Sequence, residues 1–107
     1  MTIITNAFSL NMLPPRFRGV VSVAPLTLAD AQGLAKGAAA AGGHADTAGL
    51  FERILGVPVP TNRATVALDV GMGLLVGQYR GPRLPEGATE LPEGASIEWA
   101  YVTAQAD

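Results

Sequence analysis

The chain has 107 residues, 49% of them hydrophobic and 15% charged, with a formal net charge of −2, a length that holds one folded core and not two. The absence of cysteine excludes disulfides, thiolate chemistry and sulfur-ligated zinc. The acidic balance excludes a broad DNA-binding face, because such faces rest on many Lys and Arg contacts to phosphate.

Thr2 to Phe8, with Ile3 and Ile4 between threonines, reads as a first strand, and Ser9-Leu10-Asn11-Met12-Leu13 makes a turn that Pro14-Pro15 ends. Gly19 to Leu26 carries Val20, Val21 and Val23, the β-branched run of a second strand. Thr27 opens a helix: Asp30 stands where a capping box places its acidic residue, and Leu28, Ala31, Leu34 and Ala35 form the apolar stripe. Ala38 to Ala41 suits either a helix tail or a short strand of small residues. The strand is preferred, because a strand-Gly-Gly-helix order then presents His44 at the carboxyl end of a sheet.

The next helix is expected from about Ala45 to Leu55, with Ala48, Phe51, Ile54 and Leu55 turned inward and Gly56 as its stop. Val57-Pro58-Val59-Pro60 is extended. Ala64 to Val70 and Leu74 to Tyr79 read as two strands of a hairpin joined by Gly71-Met72-Gly73. Residues 81–94, rich in Pro, Gly and Glu, form a loop, and Ser96 to Thr103 alternates as a last strand. The expected architecture is a single α/β (α+β) domain spanning residues 1–107, a mixed sheet of about five strands with flanking helices. No apolar run reaches the roughly 18 residues of a membrane helix, and no basic-then-apolar segment opens the chain. A cytoplasmic, membrane-free protein is the expectation.

His44 is the sole histidine, in Gly42-Gly43-His44-Ala45-Asp46-Thr47. The unpaired N–H groups of a helix start seat a phosphate, paired glycines let it approach, and an imidazole beside it is suited to proton transfer at neutral pH. The plainer reading of such a histidine is a cap or a surface residue. Asn6, Ser9, Asn11, Arg63 and Gln78 are polar groups at strand ends that would line one crevice with His44 if those ends converge, a lining suited to phosphates, riboses and base edges. Taken singly, each is also an ordinary turn, flanking or solvent-facing residue. The nine carboxylates show no dense ligand spacing, so metal-independent chemistry without a cofactor is expected.

Asn6-Ala7-Phe8-Ser9-Leu10-Asn11-Met12-Leu13, Gly43-His44-x-x-Thr47, Leu55-Gly56, Asn62-Arg63, Gln78 and Arg83-Leu84-Pro85-Glu86-Gly87 occur in this order. Together they resemble the viral-type ring nucleases, an anti-CRISPR family. The resemblance covers nearly the full chain and implies a homodimer that binds cyclic tetra-adenylate, the messenger of type III CRISPR defence, and cuts it into linear di-adenylate. It implies His44 and Glu86 as the catalytic pair, with Glu86 either orienting His44 or assisting proton removal. It implies Asn6, Ser9, Asn11, Gly43, Thr47, Arg63, Gln78 and Arg83 as substrate-binding positions. The stretch between Gln78 and Arg83 is longer than the family pattern, and prolines follow Gly87 where relatives carry a helix. Two other readings use the same residues differently: a non-catalytic protein that sequesters cyclic oligoadenylate, and a general nucleic-acid binder. The acidic balance and the core-like placement of Trp99, Tyr79 and Tyr101 oppose the last.

Overall fold

The computed structural model describes residues 2–40, 48–57, 67–84 and 90–107. Its strands are β1 (Thr2–Thr5), β2 (Gly19–Leu26), β3 (Ala39–Ala40), β4 (Gly73–Arg80) and β5 (Ser96–Ala106), and its helices are α1 (Leu28–Ala35) and α2 (Ala48–Leu55). They form one five-stranded sheet in the order β2-β5-β4-β1-β3. β1 pairs parallel with β3 and β4, while β5 runs antiparallel to both β4 and β2. Four strands therefore share one direction and β5 opposes them. The mixed α+β sheet expected from sequence is present, including the short strand of small residues at Ala39–Ala40.

Local chemistry explains the helices. The Thr27 hydroxyl accepts from the Asp30 N–H at 3.1 Å and the Asp30 carboxylate accepts from the Thr27 N–H at 3.4 Å, the reciprocal capping box read from the sequence. At the other end of the helix pair, the Gln32 amide donates to the Ile54 carbonyl at 2.9 Å, occupying one of the carbonyls that a helix C-terminus leaves unpaired. Gly56, at φ +75°, stops α2 and returns its N–H to the Glu52 carbonyl at 2.9 Å.

Alternation along the strands divides the core into two layers. On the helix-bearing face, Ile4, Leu75 and Trp99 pack with Ala31 and Ala35 of α1 and Phe51 and Leu55 of α2. On the opposite face, Ile3, Leu74, Val76, Val102 and Ala104 pack with Leu68, under Phe8, Met12, Leu13 and Phe17 of the amino-terminal segment. Leu50 is completely buried as well, so α2 turns a wider surface inward than the stripe of Phe51, Ile54 and Leu55 suggested.

The expected hairpin is not present. Residues 67–70 contain no strand; the part of that expected strand at residues 64–66 lies outside the described residues. Both edges of β4 are occupied, one by β1 and the other by β5, so a preceding strand has no ladder left to join. The segment instead docks on the second layer: the Leu68 N–H donates to the Met12 carbonyl at 2.7 Å, and the Leu68 side chain is fully buried. A turn closed by the Met72 N–H on the Asp69 carbonyl at 3.1 Å then feeds β4.

Candidate functional site

Because β1 to β4 run in one direction, their carboxyl ends lie along one edge of the sheet. Asn6 follows the last residue of β1, Gln78 and Arg80 lie at the end of β4, and Glu98 near the start of β5 meets the same edge. The chain also leaves β3 there, toward residues 41–47. In open sheets with crossover helices, this carboxyl edge is where ligands bind, since loops from several strands converge on it.

The amino-terminal segment covers only part of the second face. Two cavities share Val23, Val76, Gln78 and Ala100 as walls. The smaller, about 230 Å³, lies against Asn6, Ala7 and Phe8. The larger, about 780 Å³, reaches around to the helix-bearing side, where Leu26, Leu28, Ile54, Ile97 and Trp99 form its walls, and meets Leu91. Register explains the shared wall. Val76 stands opposite Ala100 and Val23 opposite Val102, so these side chains project from the same face. Val23 remains 61% exposed, which marks this face as open rather than sealed.

Asn6 and Gln78 are thus brought together by the parallel β1–β4 pair, in which Thr5 registers with Val76. Asn6 is half-buried and Gln78 exposed. Ser9 and Asn11 are exposed and lie one turn on, in a short 3-10 helix (Leu10–Met12) whose first turn is capped by the Ser9 hydroxyl accepting from the Asn11 N–H at 3.2 Å. The plainer reading of Ser9 therefore describes part of what it does. Arg83 is exposed just beyond β4, after a turn held by the Tyr79 hydroxyl donating to the Pro82 carbonyl at 2.6 Å. Gly43, His44, Thr47, Arg63 and Glu86 lie outside the described residues.

Sequence reasoning did not mark Arg80 and Glu98. Arg80 Nε lies 3.4 Å from Glu98 Oε1, and both side chains are more than half exposed. They are diagonal neighbours across β4 and β5, with Glu98 directly opposite Gln78. The missing signal was the register between these strands, which places Glu98 beside Gln78.

Comparisons with known proteins bear on the family and the fold. A family model described as STIV B116-like matches residues 2–98. Among solved structures, the chain is similar to B116 of Sulfolobus turreted icosahedral virus (STIV). The two share 27% identity over 95% of this chain and 97% of that one, with a TM-score of 0.77. No curated protein matches the chain in sequence.

Proposed function

The chain belongs to the STIV B116-like family, and from that premise we propose that it is a nuclease acting on cyclic tetra-adenylate, working as a homodimer and switching off type III CRISPR signalling. The viral origin of the B116 relative supports a role in the contest between virus and host. One observation carries the reading. Asn6 and Gln78 line a single cavity at the carboxyl edge of the sheet, the edge at which β3 also ends.

In the proposed reaction a ribose 2′-hydroxyl attacks its neighbouring phosphorus. The O2′–P bond forms, the P–O5′ bond breaks, and a 2′,3′-cyclic phosphate remains. The substrate supplies its own nucleophile, so the protein has to align the sugar and stabilise the phosphate. His44 donates the proton that the departing 5′ oxygen takes up, an effect worth roughly a hundred- to ten-thousandfold. Glu86 orients His44 or assists in removing the 2′ proton. Asn6, Ser9, Asn11, Gly43, Thr47, Arg63, Gln78 and Arg83 hold the ring. With one histidine per chain, an isologous dimer presents two, and its two-fold axis matches that of a four-membered ring. Cuts on opposite sides then release linear di-adenylate.

The decisive experiment incubates the protein with excess cyclic tetra-adenylate, with and without EDTA. Many turnovers to di-adenylate ending in a cyclic phosphate, undiminished by the chelator, are expected. A strict need for divalent metal sinks the mechanism. Protection of one ring per dimer without turnover replaces it with sequestration.

A further inference from the structure

We propose that Arg80 seats a phosphate of the ring and that Glu98 holds the same guanidinium in the ligand-free protein, as a built-in rival for it. The proposal rests on the cyclic oligonucleotide reading above and adds two residues that reading does not contain.

Register puts the pair beside the site. Val76, Gln78 and Arg80 alternate along β4, so all three project from one face of the sheet, the face of the smaller cavity. Glu98 stands directly opposite Gln78 on β5 and leaves the sheet on that same side. Diagonal neighbours in an antiparallel pair are within reach of long side chains. Arg80 and Glu98 meet across that diagonal, with Nε 3.4 Å from Oε1 and Nη2 donating to Oε2 at 3.5 Å. A cation and a carboxylate thus flank Gln78, itself a proposed ring contact.

The pair is built to exchange. Charge-assisted N–H···O bonds close to about 2.7–2.9 Å, and both contacts here are longer. The two side chains are 59% and 65% exposed, so water screens them and their attraction adds little to folding. A guanidinium fork matches phosphate as well as it matches carboxylate. A phosphate can therefore take over the N–H donors that Glu98 now occupies.

Charge decides the direction of each effect. The chain is acidic overall and every linkage of the ring carries a negative charge, so binding needs cations at the carboxyl edge. Arg80 and Arg83 are the basic residues that β4 and the turn after it place there. Once displaced, the Glu98 carboxylate stands near an anion and opposes it. Arg80 accordingly raises affinity and Glu98 lowers it. For a lone phosphate the exchange of one anion for another gains little. A ring that also engages Asn6 and Gln78 recovers the loss, so Glu98 favours the ring over stray anions.

The test is rapid-filtration binding of radiolabelled cyclic tetra-adenylate to the full chain, read before a turnover is completed. The parent, Arg80→Gln, Arg80→Lys, Glu98→Gln and the Arg80→Gln/Glu98→Gln double variant are compared, with circular dichroism verifying that each is folded. Arg80→Gln is expected to weaken binding about ten- to hundredfold, the range of a hydrogen bond to a charged group, and Arg80→Lys to recover part of that loss. Glu98→Gln tightens binding about two- to fivefold, the range of an exposed ion pair, and this gain vanishes in the double variant. If Arg80→Gln binds like the parent, or Glu98→Gln weakens binding or tightens it equally with and without Arg80, the proposal is wrong and the ring-nuclease reading stands. If the parent binds no ring, that reading falls and takes the proposal with it.

Discussion

The rings of Phe51 on α2 and Trp99 on β5 meet with centroids 5.2 Å apart and planes inclined at 55°, and Gly77 of β4 lies beneath the contact. A Cβ at position 77 would sit 2.5 Å from Trp99 Cζ3 and 2.8 Å from Phe51 Cζ, distances that oblige something to move. Gly77 is therefore a spacer that lets α2 rest on the sheet. It also lies between Val76 and Gln78, two residues of the cavity wall on the other face.

Gly77→Ala is accordingly expected to cost about 1–3 kcal/mol through overpacking, and Phe51→Ala about 3–5 kcal/mol through loss of a buried ring. Urea denaturation measures both. A Gly77→Ala protein as stable as the parent would mean that α2 stands further from β4 than described.

The capping box makes a second, independent claim. Thr27 and Asp30 are both exposed, so their contribution comes from backbone N–H groups and not from packing. Thr27→Ala should lower stability by about 1 kcal/mol. Asp30→Ala should cost less once Thr27 is already gone, because the two bonds stabilise the same helix end. A double-mutant cycle with additive effects would contradict the reciprocal geometry.

These helix signals were legible in the sequence because they are local: a capping residue, an acidic partner three positions on and a glycine stop act within one turn. The β-branched run of β2 was legible for the same reason. The hairpin expected from Ala64 to Val70 and Leu74 to Tyr79 is absent over its described residues, with no strand at 67–70, because strand pairing is a competition among distant segments, and β1 and β5 hold both edges of β4. Asn6 and Gln78 stood out as polar residues ending apolar strands, which is local information. Glu98 did not, since its place beside Gln78 depends on how β5 registers with β4. The smaller cavity was also invisible, because it arises where Asn6, Ala7 and Phe8 meet the sheet beside Val76 and Ala100.

Tyr79 offers a way to perturb Arg83 without touching it. Its hydroxyl donates to the Pro82 carbonyl at 2.6 Å, fixing the turn from which Arg83 projects. Tyr79→Phe keeps the ring and removes that bond, at a cost in stability of roughly 1 kcal/mol. If Arg83 contacts the ring, KM for cyclic tetra-adenylate should rise several-fold while kcat changes little, since the proton-transfer group is untouched. Unaltered steady-state kinetics would separate Arg83 from the substrate.

His44 and Gln78 should fail in opposite ways, and the contrast tests the division of labour between them. A general acid acts on charge that develops only as the 5′ oxygen leaves, so its removal lowers turnover more than ground-state binding. His44→Ala is expected to reduce kcat by about a hundred- to ten-thousandfold while its Kd for cyclic tetra-adenylate stays within a few-fold of the parent's. Gln78 lies in the cavity wall and has no proton to transfer at neutral pH. Gln78→Ala should weaken binding by about five- to thirtyfold, the range of a hydrogen bond to a bound ligand, and leave kcat at saturation nearly intact. Single-turnover cleavage and direct binding measurements on both variants resolve the two effects. A His44→Ala protein that cuts at the parental rate would remove His44 from the chemistry and require another group to protonate the leaving oxygen.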